Sequence, residues 1–222
     1  MVKGAVAVVD TFVGRARFAG YLAACGGDAG RAVALYQWNA ELTAAVWVPL
    51  GHVEVALRNT INHRMGVRHR RLGRGGHWIF DDARELGRDA RGAGRHDFPY
   101  SDLDTALRRV RKNSKAQTPD QIISEVSFGF LHQMVSAKQM RAWPDLAGGF
   151  PHAPSRDQLH VRSLVSDIRD LRNRMGHHHR IWTLDVAARH SGILTLAGYM
   201  DPELRVWIEE RSAVPDVLAQ RP

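Results

Sequence analysis

One cysteine, Cys25, stands alone in 222 residues. No internal disulfide can form, which excludes the secreted disulfide scaffolds. Lysine is scarce as well, with only four among the 31 basic residues. No stretch approaches the roughly 20 apolar residues needed to span a bilayer. The opening stretch MVKGAVAVVDTFVGRARF is broken by Asp10 and Arg15 and has no secretory pattern. Strand-like alternation is sparse, there is no H-E-x-x-H string, and no helix-turn-helix pair with a basic second helix stands out. These absences point to a soluble cytoplasmic protein with no membrane partner. They argue against a metal site and weigh against a DNA-binding regulator.

What the chain does have is arginine. Basic residues outnumber acidic ones 31 to 23, for a net charge of +8. A guanidinium is a planar fork that matches phosphate oxygens, whereas a lysine is a hydrated point charge. The balance favours a phosphate-bearing partner. It also fits the codon bias of a GC-rich genome, which the abundance of Ala and Gly suits equally.

The hydrophobic period is helical almost throughout. Arg15 to Ala24 reads as a helix stopped by Gly26-Gly27, and Asp28 as the cap of the next. Pro49 divides that helix from another over 49–65, whose stripe is Leu50, Val53, Leu57 and Ile61. Residues 64–100 are rich in Gly and Arg and read as a basic loop or small insertion, with a short helix near Asp81–Arg91. Ser101 is expected to cap a helix. Thr118-Pro119 starts one running through Ser136. Ser155 opens a long helix that carries Leu164, Ile168, Leu171 and Met175 on its apolar side. Two more helices, over 184–196 and 202–210, complete the chain, with 201–222 as a C-terminal helical tail. The expected fold class is all-α, a helical bundle in one domain with a basic Gly/Arg-rich insertion.

Two segments carry the chemistry. Leu57-Arg58-Asn59-Thr60-Ile61-Asn62-His63 and Leu171-Arg172-Asn173-Arg174-Met175-Gly176-His177 both read L-R-N-x-x-x-H. With 27 arginines, 5 asparagines and 12 histidines in 222 residues, the product of the three frequencies and the length predicts roughly 0.03 chance occurrences of R-N-x-x-x-H. On a helix, Asn and His four apart share a face, and the long Arg side chain reaches over it. Each segment therefore offers a cation, an amide and an imidazole. A phosphodiester needs a charge partner, an orienting hydrogen bond and a proton carrier. Glu54 and Asp170 lie close enough to offset the clustered arginine charge. His178 and His179 extend the second segment as alternative catalytic groups. Consecutive histidines point to different sides of a helix, so the run makes a poor metal cage, and no metal or other cofactor is expected. Gly176 is placed to end the helix. For each residue alone a structural role, such as an ion pair or a cap, is the competing reading.

HVEVALRNTINHRM (52–65), ISEVSFGFLHQM (123–134), the Trp143-Pro144-Asp145-Leu146 element and IRDLRNRMGHHHRIW (168–182) resemble, in this order, the Abi-like proteins of bacterial abortive-infection systems. That group belongs to the HEPN superfamily of helical ribonucleases, and the resemblance implies a HEPN-like bundle. Arg172-Asn173-x-x-x-His177 is similar to the superfamily's R-x(4–6)-H signature, whose tolerance also admits His178 and His179. One departure stands out. Relatives commonly read R-N-x-x-A-H-H-E, whereas Gly176 replaces the Ala here and His179 the acid.

The resemblance implies metal-independent RNA cleavage in phage defence or as a toxin. It also implies active sites formed where two motifs meet across a homodimer, and an antitoxin of protein or RNA is a possible further partner. The expected catalytic set is Arg172, Asn173 and His177 with Arg58, Asn59 and His63. Arg64, Arg68, Arg70, Arg71 and Arg74 would hold the RNA backbone without reading sequence. Because the chain carries two copies of the motif, both are expected to converge in one cleft. The alternatives are the same motif meeting its own copy across a dimer, and an inactive RNA- or nucleotide-binding module or assembly partner.

Overall fold

The Asp28 carboxylate accepts a hydrogen bond from the Arg31 amide at 3.0 Å and so satisfies an amide that the first helical turn leaves without a partner. The helix it starts, the second of the fold, runs unbroken for 43 residues. In this computed structural model, which describes residues 8–86 and 99–222, it is the central rod. We number the helices α1 (Arg15–Ala24), α2 (Ala29–Arg71), α3 (Tyr100–Lys112), α4 (Pro119–Ser124), α5 (Phe128–Met134) and α6 (Trp143–Leu146). They continue as α7 (Gln158–Gly176), α8 (Val186–Met200), α9 (Pro202–Glu209) and α10 (Val214–Ala219). No strand occurs among the described residues, and the fold is all-α.

Pro49 does not divide α2. A helix-interior proline costs about 3 kcal/mol, through a missing N–H and a clash with the preceding turn. Packing outweighs that cost. Leu42, Val46, Leu50, Val53 and Leu57 are all fully buried on both sides of Pro49, and each such side chain is worth about 1.5–3 kcal/mol. The same continuity shortens the expected loop at 64–100, because helix persists to Arg71. By length and composition α2 also contains an 18-residue window apolar enough to cross a membrane. The sequence reading, which expects no such stretch, misses that window. In this fold its apolar stripe is the centre of the bundle.

The other helices pack around this rod. α1 and α8 lie against it, and α8 also contacts α7 and α9. α5 bridges α2 and α7. The C-terminal helices fold back onto the rod, where the Trp38 indole N–H donates to the Val217 carbonyl at 2.7 Å and His52 meets Trp207 edge-on.

Several helix starts differ from the sequence reading. α3 begins at Tyr100, with Pro99 in the capping position, and the expected cap, Ser101, is a buried hydroxyl without a hydrogen-bond partner. Thr118 caps as expected, but the segment breaks after Ser124, and Ser127 restarts it as α5 by accepting from the Phe130 amide. Asp157, not Ser155, caps α7, and Ser155 sits at φ 49° in the preceding turn. Of the helix expected near Asp81–Arg91, residues 81–86 are non-helical, and 87–91 lie outside the described residues.

Candidate active site at the end of helix α7

α7 ends in a reversal built from the histidine run. The His177 amide bonds the Asn173 carbonyl at 3.1 Å, the His178 amide bonds Met175 at 2.9 Å, and the His179 amide bonds Arg174 at 2.8 Å. The last two form the Schellman pattern that closes a helix. The left-handed residue in that pattern is His178, at φ 54°. Glycine usually fills this position, because a Cβ there costs about 1 kcal/mol. Gly176 was expected to do so but sits inside the last turn of α7.

The reversal is held from three sides. The Arg17 guanidinium of α1 donates to the His178 carbonyl at 2.9 Å. Arg174 donates to the Arg180 carbonyl at 3.3 Å. The buried Asn39 side-chain oxygen accepts from the Ile181 amide at 2.9 Å and the Trp182 amide at 3.3 Å. The Arg180 side chain crosses α1 at Gly20, where any Cβ would collide with its guanidinium.

These residues enclose an open pocket of about 310 Å³ lined by Ala16, Arg17, Arg174, His178, His179 and Arg180. Three arginines and two histidines line it, and no acidic residue is among its described lining residues. Eight arginines elsewhere, Arg58, Arg68, Arg71, Arg74, Arg169, Arg189, Arg205 and Arg211, have acidic partners, while others such as Arg70 and Arg162 stand singly without one among the described residues. Arg17, Arg172, Arg174 and Arg180 make no ion pair among the described residues. A cluster of unpaired cations is costly unless an anion sits among them.

A second cavity, about 600 Å³, opens from the same place and shares Arg17 and His178 with the first. Its walls are aromatic and small: Phe12, Tyr21, Tyr36, Ala40, Thr43, Ala44 and Trp47. Burial pushes the Tyr21 hydroxyl up from its ordinary value, so that side chain stays neutral. The Arg172 guanidinium carbon lies 5.9 Å from the Trp47 ring centroid, and its Nε is buried with no hydrogen-bond partner.

Of the second L-R-N-x-x-x-H segment, Arg172 therefore borders the aromatic groove. Asn173 and His177 are exposed and line neither cavity, and the His177 and His179 rings lie 5.8 Å apart. His178 and His179 are the imidazoles that line the basic pocket. Asp170 does not serve Arg172. Arg169 takes it at 2.8 Å.

The first segment lies elsewhere. His178 shares the groove with Thr43 and Trp47. His63 is sixteen residues beyond Trp47 on the same continuous helix, roughly 24 Å away at 1.5 Å per residue. The two segments do not converge in one cleft, because the rod that carries the first keeps it far from the end of α7. Arg58 pairs with Glu54 at 2.9 Å, both half-buried, and Asn59 and His63 are exposed.

The basic stretch after His63 is occupied structurally. Arg68 and Arg74 reach Glu85 at 3.0 and 2.5 Å, Arg74 reaches Asp81 at 2.6 Å, and Arg71 reaches Asp145 at 2.9 Å. Arg64 donates to the Asp145 carbonyl at 2.8 Å. Of the five, Arg70 is exposed and, like Arg64, makes no ion pair among the described residues. These contacts staple residues 81–86 and α6 to the end of α2.

Sequence reasoning missed Arg17, Asn39, Trp47, Arg174 and Arg180. Arg174 and Arg180 flank the histidine run, so proximity alone could have drawn them in. Arg17 and Asn39 come from distant segments and carry no local signal. No curated protein and no solved structure matches the chain. A family model described as Abi-like protein matches residues 26–183, a span that holds α2 through the histidine run, and the chain belongs to the Abi-like family.

Proposed function

We propose that this protein is a metal-independent endoribonuclease of the HEPN type, acting in phage defence or as a toxin. One observation carries the reading: a pocket walled by three arginines without acidic partners and by two adjacent histidines, with no carboxylate among its lining residues. Such a pocket receives an anion and can also move protons. Membership of the Abi-like family supports the defence setting.

Arg17, Arg174 and Arg180 hold the scissile phosphate, and Arg172 adds positive charge from the groove side. RNA supplies its own nucleophile, already beside the phosphorus. One imidazole of the His178–His179 pair takes the 2′-OH proton as the 2′-oxygen bonds to phosphorus. The other, protonated, gives its proton to the 5′-oxygen as the P–O5′ bond breaks. The products are a 2′,3′-cyclic phosphate and a 5′-OH. The arginines stabilise the extra negative charge of the phosphorane. This reading moves the principal imidazole from His177 to His178, and the RNA contact from the Arg64–Arg74 stretch to the opposite end of the rod.

A second reading, an RNA-binding module without turnover, draws on the same pocket. No carboxylate stands there to orient either imidazole, and His179 fills the position where relatives carry an acid. RNA incubated with the protein in EDTA separates the two. Cleavage to cyclic-phosphate ends supports the enzyme, whereas a mobility shift with intact RNA supports the binder. Cleavage that stops in EDTA and returns with added metal would overturn the metal-free mechanism.

A further inference from the structure

The aromatic groove is not used by the chemistry just described, yet it opens directly from the basic pocket. We infer that it is a base subsite: one unstacked nucleobase lies against Trp47 while its phosphate sits among Arg17, Arg174 and Arg180, so that the ligand is single-stranded RNA. The inference rests on the proposed phosphate site and adds to it the kind of strand that can be bound.

Four observations support a base here. Arg17 and His178 line both cavities, so the groove and the phosphate site are continuous. Trp47 is 36% exposed, and the Arg172 guanidinium carbon lies 5.9 Å from its ring centroid. A cation over one part of an indole leaves the remaining surface for stacking, and base–aromatic stacking accepts any base. Ala40 and Ala44, both exposed and one turn apart on α2, leave the floor open between Tyr36 and Trp47. The Thr43 hydroxyl spends its proton on the Asn39 carbonyl at 2.7 Å and keeps its oxygen as an acceptor. A base still stacked in a duplex cannot enter such a groove, whereas single strands and loops present splayed bases.

Short 2′-O-methyl oligonucleotides test this, because they present bases and phosphates but no nucleophile. Two probes of equal length are compared, one with bases and one abasic. The native protein should bind the base-bearing strand more tightly than the abasic one and more tightly than a matching duplex. Trp47→Ala, and independently Ala44→Leu, which fills the groove from a solvent-facing position, should each weaken the base-bearing strand roughly tenfold and leave abasic binding as in the native protein. Equal affinity of the native protein for both strands, or a loss that is the same on both probes, would overturn the base subsite. Arg17→Ala with Arg174→Ala addresses the phosphate site separately: it should weaken the abasic strand, and unchanged abasic binding there would overturn the phosphate site while the Trp47 result still stands on its own probe. Absence of binding to either strand by the native protein would overturn both.

Discussion

The same seven-letter pattern occurs twice in this chain, and the fold treats the two copies differently. The first lies on a continuous rod with its arginine matched by Glu54 one turn earlier. The second lies where a helix stops, and its arginine has no acidic partner among the described residues. A motif on an uninterrupted helix face is limited to what neighbouring turns present. A motif at a helix end gains whatever the reversing chain brings back. Here the reversal brings His178, His179 and Arg180 alongside Arg174, and α1 adds Arg17. A repeated sequence string thus marks two candidate sites, and the local charge balance separates them.

The largest expected effect lies in catalysis. His178→Ala with His179→Ala should lower RNA cleavage at least a hundredfold, the ordinary worth of general acid–base groups, with little change in RNA affinity. Asn59→Ala with His63→Ala should leave cleavage near native. A fluorescent RNA assay in EDTA reads both. Equal losses from the two pairs would break the distinction drawn between the copies and would implicate a second molecule that brings its own 58–63 segment to the site.

Next comes the support beneath the site. Asn39→Ala removes the acceptor shared by the Ile181 and Trp182 amides, and leaves a buried amide without a partner. The expected cost is about 2–3 kcal/mol in urea unfolding, together with a loss of cleavage, because the histidine run is tethered through that segment. Glu54→Ala is the counterpart on the first copy. It removes one half-buried ion pair and should cost about 1 kcal/mol, with no effect on cleavage. A smaller loss for Asn39→Ala than for Glu54→Ala would mean that the reversal is held by its backbone hydrogen bonds alone.

Much of the fold was legible in the sequence, and the site only in part. The 3.6-residue stripe through Leu50, Val53, Leu57 and Ile61 identified the helix correctly. Pro49 misled, because a local rule about broken hydrogen bonds takes no account of the burial gained on both sides. Ser101 and Ser155 misled for a related reason. Both are good caps in isolation, yet Pro99 and Asp157 define the real starts. The Arg172–His177 segment was found by its repetition, but which histidine faces the pocket depends on the left-handed turn at His178, and no periodicity encodes that. The pocket's third side is long-range. Arg17 lies 161 residues from the carbonyl it holds, and Asn39 lies 142 from Ile181. Clustered arginine also misled, because Arg74 and Arg68 find acids 7 to 17 residues further along the same stretch and Arg71 finds one 74 residues away.

That acid–base network gives a smaller, pH-dependent effect at the far end of the rod. The Arg74 guanidinium, and then Arg68, hold the Glu85 carboxyl well below its ordinary 4.5, at about 2. A carboxylate with a depressed folded-state pKa stabilises the fold above its unfolded value and loses that contribution as pH falls through the folded one. Glu85→Gln should therefore cost roughly 1 kcal/mol at neutral pH, once solvent screening of this partly exposed group is allowed for. The difference from the native protein should shrink between pH 4.5 and about 2. Urea midpoints measured across that range provide the check. A constant difference down to pH 2 would remove the ion pairs from the explanation.

The smallest effect is the sharpest comparison, because one substitution should change sign between the first copy and the turn that follows the second. His63 is an exposed residue inside α2, and glycine there gives up helix propensity, a loss of about 0.5–1 kcal/mol. His178 sits at φ 54° in the reversal, where a side chain is a burden and glycine is relaxed. His178→Gly should raise stability by roughly 0.5–1 kcal/mol. The Arg17 bond goes to the His178 carbonyl, not to its ring, so the substitution leaves that tether intact. The same variant should lose cleavage, because the imidazole that lines both cavities is gone. Stability gained and activity lost at one position is the signature of strain retained for function. Thermal unfolding of the two glycine variants beside the native protein, read together with the cleavage assay, decides the point. If His178→Gly destabilises as much as His63→Gly, the ring itself supports the turn, and the loss of cleavage in the alanine variant would then reflect a collapsed reversal and not a missing proton carrier.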